Sequence, residues 1–326
     1  MNQMHRDGRV QLGKTDLTIP PLGIGTWAWG DKMLWGFGKG YGEADLRGAF
    51  NASLERGLDF FDTAEVYGSG RSEQFMGQFL VADRREVVVA TKFMPFPWRL
   101  RRDSLIEALK RSLARLGLER VDLYQIHWPF PPVSIETWMA SMADAVQAGL
   151  TRAVGVSNYN VDQMHRAHAA LARYGIPLAS NQVQYSLLHR HPERNGLLQT
   201  CDDLGVTLIA YSPLAQGLLS DKYGPDNPPP GLRGRRLGRT RLAEIQPLVA
   251  LLGEIGEAHG CKTAAQVALN WTMCKGSVPI PGAKNASQAR ENAGALGWRM
   301  SHDEVAALDA ASNRIDSKSR PVASDS

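Results

Sequence analysis

Two apolar runs, VVVAT (87–91) and VDLYQIH (121–127), flank the segment SLIEALKRSLARL (104–116), and this arrangement decides the fold. The flanking runs are short, continuous and rich in Val, Ile and Leu, which is typical of strands buried on both faces of a parallel sheet. The middle segment places its apolar residues on one helical stripe, formed by Leu105, Leu109, Leu113 and Leu116. The stretch therefore predicts a strand, a helix and a second strand.

The same alternation extends over most of the chain. Six further runs predict strands: LGIGT (22–26), LDFFDT (58–63), RAVGVS (152–157), LASNQVQ (178–184), VTLIAY (206–211) and VPIPG (278–282). Further amphipathic segments predict helices at 134–148, 161–174, 194–204, 245–259 and 263–274. Eight strands alternating with helices predict an α/β fold, either a closed (β/α)8 barrel or a doubly wound sheet.

A different pattern precedes the first run. Residues 10–21, VQLGKTDLTIPP, predict an N-terminal β-hairpin around a turn at Gly13 to Asp16, which would plug one end of a barrel. The chain has 326 residues, and one α/β barrel needs about 250 residues plus insertions. We therefore expect a single domain over 1–326, with its core at about 9–312 and a flexible tail at 313–326.

Composition excludes several classes of protein. Hydrophobic residues make up 43% and charged residues 21% of the chain, and the net charge of +4 is too small to indicate a nucleic-acid partner. The three cysteines, at 201, 261 and 274, share no CxxC spacing and indicate neither a disulfide scaffold nor a zinc site. No run approaches the roughly 20 apolar residues of a membrane span, and MNQMHRDGRV lacks a signal-like apolar region. We expect a cytoplasmic monomer or weak homo-oligomer with no membrane partner and no bound metal.

Polar residues occur at the carboxyl ends of the predicted strands, where both candidate folds place their functional sites. These residues are Asp62, Lys92, His127, Ser157, Asn158, Gln182 and Tyr211. A strand end without a functional role more often carries Gly, Pro or a small turn residue. The presence of so many polar residues at strand ends in one chain predicts a functional site.

Asp62, Tyr67, Lys92 and His127 suit the reduction of a carbonyl by hydride transfer, which builds negative charge on oxygen and needs a proton. Tyrosine is a weak acid with a pKa of about 10, and the ammonium of Lys92 favours tyrosinate and lowers that pKa. Asp62 can hold Lys92 in place and keep it charged, and His127 can orient and polarise the carbonyl.

Each residue alone also has an ordinary explanation. A loop tyrosine mostly packs, a lysine at a strand end usually extends to water, and Asp62 before Thr63 could cap a helix. The four residues together are better explained by a site, because they fall on three consecutive strand ends and the loop after one of them.

Three motifs, DTAEVYGSGRSE (62–73), TK (91–92) and QIHWP (125–129), resemble the active-site signature of the aldo-keto reductase superfamily. The resemblance runs from about residue 9 to residue 312 and is greatest to the subset with the potassium-channel β subunits and related bacterial and plastid reductases. It implies a (β/α)8 barrel that binds NADP(H) without a Rossmann domain. It also implies that the chain reduces aldehydes or ketones to alcohols with Tyr67 as general acid.

The resemblance implies a set of residues for the nicotinamide end of the cofactor. GTW (25–27) supplies Thr26 and Trp27 near the ribose, GVSNY (155–159) and NQVQY (181–185) supply the carboxamide partners, and Asp62 lies close by. The carboxamide partners are Ser157, Asn158 and Gln182. Tyr211 in AYSPLAQGLLSDKY (210–223) would stack on the nicotinamide and fix the face that delivers hydride.

Further residues would hold the phosphates. In AYSPLAQGLLSDKY they are Ser212, Pro213, Leu214, Ala215, Gln216 and Lys222. In IPGAKNASQAREN (280–292) they are Gly282, Ala283, Lys284, Gln288, Glu291 and Asn292. Lys284 is the expected partner of a 2′-phosphate, which favours NADPH. Many members carry an arginine where this chain has Gln288, so NAD(H) stays possible, and Arg233 is a candidate for the missing cation.

Two loops depart from the alternation, GDKMLWGFGKGYG (30–42) and the Arg-rich GPDNPPPGLRGRRLGRTR (224–241). The second is long enough for a mobile lid, and it is interpreted as a solvated loop, a cover over the cofactor phosphates or, least favoured, a nucleic-acid patch. Aromatic residues near the mouth could form an apolar substrate pocket. The predicted pocket combines Tyr67 and His127 with Trp128 and, less firmly, Trp29.

Two other functions remain open at this point. The chain could bind NADP(H) as a ligand in a regulatory role, as the resemblance to channel β subunits permits, although the intact Asp62, Tyr67, Lys92 and His127 set favours an enzyme. A metal-dependent barrel hydrolase would need clustered ligands. His189 and His191 form an HxH, but their segment predicts a loop with no matching partner. The substrate and the favoured reaction direction are not fixed by the sequence.

Overall fold

The computed structural model describes residues 8–83, 85–230 and 232–316, without the side chains of residues 232–236 and 316. Strands β1 to β10 span Val10–Gln11, Thr18–Ile19, Ile24–Gly25, Phe60–Asp62, Val88–Phe93, Val121–Ile126, Thr151–Ser157, Leu178–Gln184, Thr207–Tyr211 and Val278–Ile280. Helices α1 to α11 span Glu43–Glu55, Arg71–Ala82, Asp103–Leu116, Ile135–Gln147, Val161–Ala172, His191–Arg194, Leu197–Leu204, Leu232–Ala258, Ala264–Cys274, Ala286–Ala293 and His302–Asp316.

Strands β3 to β10 form one parallel sheet in which each strand pairs with its neighbour in sequence. The last strand returns to the first through two backbone hydrogen bonds, Gly23 N to Pro279 O and Gly25 N to Pro281 O, each of 3.0 Å. A Cβ at Gly25 would lie 2.9 Å from the carbonyl oxygen of Ile280, so the closure needs glycine there. The consecutive strand order and this closure confirm the (β/α)8 barrel over the doubly wound sheet.

The predicted hairpin is confirmed as antiparallel strands β1 and β2, with Val10 opposite Ile19. Its apolar side chains are buried in one cluster with residues from the barrel interior, including Phe60 and Leu123. Gly13, at the turn, has a φ of 59°, and a Cβ there would lie 2.6 Å from the carbonyl oxygen of Ala179. The hairpin therefore plugs the barrel at the amino ends of its strands, which leaves the carboxyl ends for the site.

Helix α3 shows why the periodicity predicted the fold. Its four stripe leucines, at 105, 109, 113 and 116, are all buried in the main core cluster. Full burial of one such side chain contributes about 1.5–3 kcal/mol as an upper bound. Gly117 ends the helix in the left-handed region with a φ of 66°.

Two predictions at the carboxyl-terminal half need correction. The predicted loop 224–241 ends early, because residues 232–258 are helical, with a break at Gly238 where φ is 70° and ψ is 159°. The side chain of Arg233 lies outside the described residues, so its predicted role is not addressed. The start of the predicted flexible tail, 313–326, also needs correction, because α11 continues to Asp316 and Ile315 is buried. The rest of that predicted tail lies outside the described residues.

In the part of the chain that the structure describes, no helix combines the length and apolar character that a membrane crossing requires.

Candidate active site

A buried ion pair lies at the carboxyl ends of β4 and β5. The ammonium of Lys92 is 2.5 Å from Asp62 Oδ2, and both side chains are almost fully buried. The other carboxylate oxygen, Asp62 Oδ1, accepts hydrogen bonds from the amides of Gln125 at 3.0 Å and Gln182 at 2.8 Å. A buried charge is tolerated only when it is paired and hydrogen-bonded, and this pair satisfies both conditions.

Tyr67 begins a tight turn, Tyr67–Gly70, which follows the end of β4 at Asp62 after four intervening residues. Its hydroxyl oxygen accepts a hydrogen bond of 3.1 Å from the Lys92 ammonium, which also donates to the carbonyl of Thr63 at 2.9 Å. Because the Tyr67 oxygen accepts in the bond to Lys92, its own hydrogen remains available to a molecule in the barrel mouth.

The charges in this cluster act on the pKa values of Tyr67 and Lys92 in opposite directions. Burial raises the pKa of Tyr67, and although Lys92 opposes this, the pKa stays above its usual value. Lys92 acts on the pKa of Tyr67 in the predicted direction, but burial of the phenol outweighs the ammonium. Burial alone would lower the pKa of Lys92, but the charges of Asp62 and Tyr67 outweigh it and raise that pKa. Lys92 therefore stays charged, as predicted.

His127 follows β6, and its ring meets the Tyr67 ring edge-on with centroids 5.8 Å apart. Burial, with a further contribution from the charge of Lys92, lowers the pKa of His127 to about 3. Its Nδ1 atom is buried and has no hydrogen-bond partner within the described ranges. The imidazole is therefore neutral at ordinary pH and retains one N–H donor.

The residues predicted to hold the nicotinamide carboxamide form one hydrogen-bonded group next to this pair. Asn158, in the left-handed region with a φ of 62°, donates from its amide to the carbonyl of His127 at 3.1 Å and accepts from the Tyr211 hydroxyl at 3.0 Å. The Ser157 hydroxyl donates to the carbonyl of Gln182 at 2.8 Å. Gln182 also contacts Asp62, so the strand ends from β4 to β9 share one network.

The predicted ribose partners lie on the other side of the barrel mouth. Thr26 is fully buried, and its hydroxyl donates to the carbonyl of Asp62 at 3.0 Å. Trp27 is partly exposed, and its ring centroid lies 6.3 Å from that of Tyr67. Both residues therefore reach the same site as the ion pair.

The segment after β9 has an unusual backbone. Three of its non-glycine residues take positive φ: 51° at Ser212, 47° at Ala215 and 57° at Gln216. Positive φ is uncommon outside glycine and clusters at functional turns. Pro213 is buried and Leu214 half-buried in this turn, whereas Lys222 is exposed, with its ammonium over the Tyr223 ring.

The predicted adenosine-phosphate residues gather at the start of α10. The backbone N–H of Lys284 donates to the side chain of Gln288 at 2.8 Å, and the amide of Asn292 donates to the carbonyl of Gly282 at 3.3 Å. Ala283 is fully buried, and Glu291 accepts from the Thr263 hydroxyl at 3.3 Å. Backbone N–H groups at a helix N-terminus favour anions, which suits a phosphate-binding loop.

Comparison with known proteins agrees with this geometry. A sequence model described as the Aldo/keto reductase family matches residues 21–313.

The chain belongs to the aldo/keto reductase family.

Among its relatives, the chloroplastic pyridoxal reductase of Arabidopsis thaliana is 41% identical over 314 residues, which cover 92% of this chain and 85% of that protein. A thermostable aldo-keto reductase solved with the inhibitor epalrestat is 33% identical, with a TM-score of 0.76 over 93% of this chain and 99% of that one. An aldo/keto reductase from Klebsiella pneumoniae, solved with NADP and acetate, is 28% identical, with a TM-score of 0.75 over 93% and 94% of the two chains.

The prediction that Trp29 contacts the substrate of this aldo/keto reductase needs correction. It is fully buried, its indole N–H donates to the carbonyl of Ala283 at 2.8 Å, and its ring packs on Phe61 and Phe79. It belongs to the core beneath the site. Trp128, directly after His127, is half-buried and stacks on the exposed ring of Phe130 at 5.5 Å, so it remains a candidate for the pocket wall.

Three residues that position the site were not predicted from the sequence. Gln125 lies two residues before His127 and holds Asp62, so the two-residue period of β6 could have identified it. Ser72 shares a 2.7 Å hydrogen bond with Thr26 and accepts one from Thr63. Glu73 is fully buried and accepts from Thr91 and Arg115, each at 2.6 Å. Ser72 and Glu73 end the DTAEVYGSGRSE motif, which was the available signal.

The rings of His189 and His191 lie 6.4 Å apart. Across the described ranges, no group of three or more His, Cys, Asp or Glu side chains is arranged to hold a metal ion.

Proposed function

We propose that this aldo/keto reductase uses NADPH to reduce an aldehyde or ketone to an alcohol, with Tyr67 as the general acid. The observation that carries the proposal is the direction of one hydrogen bond. The Tyr67 hydroxyl accepts from the Lys92 ammonium, so its own hydrogen can be donated to a carbonyl oxygen.

The residues of the barrel mouth fit the cofactor. Asn158 and Gln182 offer amides of the kind that pair with a carboxamide, and the Tyr211 ring lies beside them. The turn at 212–217 and the start of α10 offer backbone N–H groups to phosphates. Lys284 offers a cation at the same loop. When bound, NADPH supplies the hydride.

The protein supplies the proton and stabilises the charge. As the carbonyl oxygen gains negative charge, the Tyr67 hydroxyl transfers its proton to it, and the phenolate left behind is stabilised by Lys92 at 3.1 Å. Asp62 keeps Lys92 charged and in place. Neutral His127 donates its remaining N–H to the same carbonyl oxygen and fixes its position between the two donors.

The choice of first substrates follows from the relatives. A pyridoxal reductase is 41% identical to this chain. Pyridoxal is an aromatic aldehyde, and Trp27, Tyr67 and Trp128 offer aromatic walls at the mouth. Pyridoxal therefore heads the panel of aldehydes to be tested.

The test is NADPH oxidation by the purified protein across a panel of aldehydes and ketones that begins with pyridoxal. We expect oxidation with at least one of them. NADPH deuterated at the nicotinamide should place its deuterium on the carbonyl carbon of the alcohol product, because the hydride moves directly.

Tight NADPH binding without turnover across the panel would contradict the proposal and favour a protein that uses NADP(H) as a regulatory ligand. The cytoplasmic location and the monomeric or weakly associating state stay predictions.

A further inference from the structure

An ion pair that the proposed mechanism does not use joins two loops at the barrel mouth. The guanidinium of Arg99 donates to both carboxylate oxygens of Glu65, at 2.5 Å and 3.0 Å, and both side chains are largely buried. A two-point contact between arginine and a carboxylate fixes geometry as well as charge. Glu65 lies between β4 and Tyr67, and Arg99 lies between β5 and α3. The pair therefore ties the loop of the proposed acid to the next loop around the barrel.

Glu65 fastens the Tyr67 loop to the end of β5. Its backbone N–H donates to the carbonyl of Lys92 at 3.4 Å, and its carboxylate accepts from the backbone N–H of Met94 at 2.8 Å. The backbone N–H of Tyr67 in turn donates to the carbonyl of Ala64 at 3.0 Å. Glu65 thus lies within the short segment that sets the distance between the Tyr67 hydroxyl and the Lys92 ammonium.

The backbone directly after Tyr67 is one that needs an anchor. Gly68 and Ser69 both take positive φ, of 56° and 59°. A non-glycine residue persists in this conformation only where the surrounding structure holds it there. Misplacement of a reacting group by about 1 Å can lower a rate by about 10²-fold. A small movement of this turn would therefore slow proton transfer from Tyr67.

Arg99 holds the second loop. Its guanidinium donates to the carbonyl of Met94 at 2.9 Å and lies over the rings of Phe93 and Phe96, at 4.9 Å and 5.3 Å from their centroids. Phe96 stacks on the exposed ring of Trp98, with centroids 4.6 Å apart. One ion pair therefore organises the turn of the acid on one side and an aromatic loop on the other.

We propose that Glu65 and Arg99 are positioning residues that act through Tyr67. Their ion pair keeps the Tyr67 hydroxyl at the Lys92 ammonium, where it can give its proton to the carbonyl oxygen. This inference rests on the proposed function, since it takes Tyr67 as the acid. It assigns a role to Glu65 within the DTAEVYGSGRSE motif and to Arg99, which lies outside the motifs that predicted the site.

A second ion pair on the same loop provides a matched control. Arg102 donates to both carboxylate oxygens of Asp144, at 2.7 Å and 2.5 Å, and joins the loop to α4 instead of the Tyr67 turn. Glu65→Gln and Asp144→Asn each remove the carboxylate charge that faces an arginine. The two variants therefore differ in which neighbour the loop loses.

Single-turnover oxidation of bound NADPH, with a carbonyl that the wild-type protein reduces, is the first measurement. Glu65→Gln should lower the rate by about 10- to 100-fold and leave the dissociation constant of NADPH within about twofold. Asp144→Asn should keep both values, because the turn of the acid retains its anchor.

Hydrogen–deuterium exchange followed by mass spectrometry reports on the turn without any turnover. Peptides that cover residues 63–70 should exchange faster in Glu65→Gln than in the wild-type protein, because the turn has lost its anchor. They should exchange at the wild-type rate in Asp144→Asn. A slower reaction with unchanged exchange over 63–70 would contradict the proposal.

Arg99 supplies independent variants if Glu65→Gln does not fold. Arg99→Leu should reproduce both effects, and Arg99→Lys should recover part of the rate, because one ammonium keeps the charge but not the two-point contact. Arg99→Leu added to Glu65→Gln should cause little further loss, because the two residues act as a unit.

The outcomes distinguish this inference from the proposed function. Rates within about twofold of wild type in both Glu65→Gln and Arg99→Leu would overturn the positioning role while leaving Tyr67 as the acid. An equal loss of rate in Asp144→Asn would also overturn it, because any damage to the loop would then suffice. Failure of the wild-type protein to oxidise NADPH with any carbonyl would instead overturn the proposed function, and exchange over 63–70 would still decide whether the ion pair anchors the turn.

Discussion

Two clusters in this barrel, one buried and one partly buried, place a tyrosine hydroxyl against charged groups, and they differ in the direction of one hydrogen bond. In the first cluster the Tyr67 oxygen accepts from the Lys92 ammonium. In the second the Tyr185 hydroxyl donates to the carboxylate of Glu193 at 2.7 Å. A tyrosine paired with a cation keeps its hydrogen for another molecule, whereas one paired with a carboxylate has already used it. The comparison shows that a buried charge cluster suits acid chemistry only when its proton remains available.

The second cluster holds the carboxyl-terminal helix to the barrel. Asp309 on α11 accepts from the ammonium of Lys275 at 3.0 Å and from the indole of Trp271 at 2.9 Å. Arg190 contacts Asp309 at 3.2 Å and Glu193 at 2.6 Å. The polar groups of this second cluster form hydrogen bonds and ion pairs with one another, which is the arrangement of a structural network.

The largest contrast is expected from replacing the lysine of each cluster. Lys92→Met should lower kcat by at least about 10²-fold and the free energy of unfolding by about 3–5 kcal/mol, because Asp62 loses its buried partner. Lys275→Met should leave kcat within about twofold and cost about 1–3 kcal/mol. Steady-state kinetics and urea unfolding would measure both.

Asp62→Asn provides a second variant if Lys92→Met does not fold. It should also reduce kcat, since Lys92 loses the charge that holds it. Equal losses of activity in the Lys92 and Lys275 variants would contradict the division between a catalytic and a structural cluster.

A smaller effect, on stability alone, is expected at Glu193. Burial would raise the pKa of Glu193, but hydrogen bonds from Arg190 and Tyr185 and the charges of Arg190 and Lys275 outweigh it and lower the pKa to about 2. A depressed pKa contributes stability that is present above the ordinary value of 4.5 and is lost as the pH falls towards about 2.

Glu193→Gln should therefore unfold more easily than the wild-type protein at neutral pH, with kcat unchanged. The difference in unfolding free energy should shrink as the pH falls below 4.5. Urea unfolding at several pH values would measure it, and a difference that stays constant down to pH 2 would show that the Glu193 charge is not the cause.

The smallest expected effect concerns the pH dependence of the reaction rate. The rate should show no change that follows the titration of a histidine. Because burial lowers the pKa of His127 to about 3, its ring stays neutral above that pH. The pKa of Tyr67 is raised, so the acid stays protonated at neutral pH. The value of kcat/KM for reduction should therefore be nearly flat between about pH 5 and pH 9. A change in kcat/KM near the ordinary histidine pKa of about 6.5 would contradict the assignment of His127 as neutral if the His127→Asn substitution removes that change.

Much of the fold and the grouping of the proposed catalytic residues could be predicted because both follow from local patterns. Short apolar runs and the leucine stripe of α3 fixed the strand and helix order, and the polar residue at each strand end identified Asp62, Lys92 and His127. Parallel strands bring such ends together, so sequence order translated directly into proximity.

The remaining features depend on contacts between distant parts of the chain. Trp29 looks like other tryptophans near the mouth, and only the packing on Phe61 and Phe79 places it in the core. The early start of α8 was hidden by the glycines near its start, Gly234 and Gly238, and by the prolines just before it, Pro228 to Pro230. The pKa of Tyr67 depends on the depth of its burial, and the contact between Lys284 and Trp35 joins residues 249 positions apart, so no local pattern reveals either.

The most direct test of the account compares Tyr67→Phe with Tyr185→Phe in single-turnover oxidation of bound NADPH by an accepted aldehyde. We predict that Tyr67→Phe lowers the rate by at least about 10²-fold while NADPH binds with nearly unchanged affinity. Tyr185→Phe should keep the rate and lose about 1–3 kcal/mol of unfolding free energy. A Tyr67→Phe variant that reduces the aldehyde at the wild-type rate would contradict the assignment of Tyr67 as the acid.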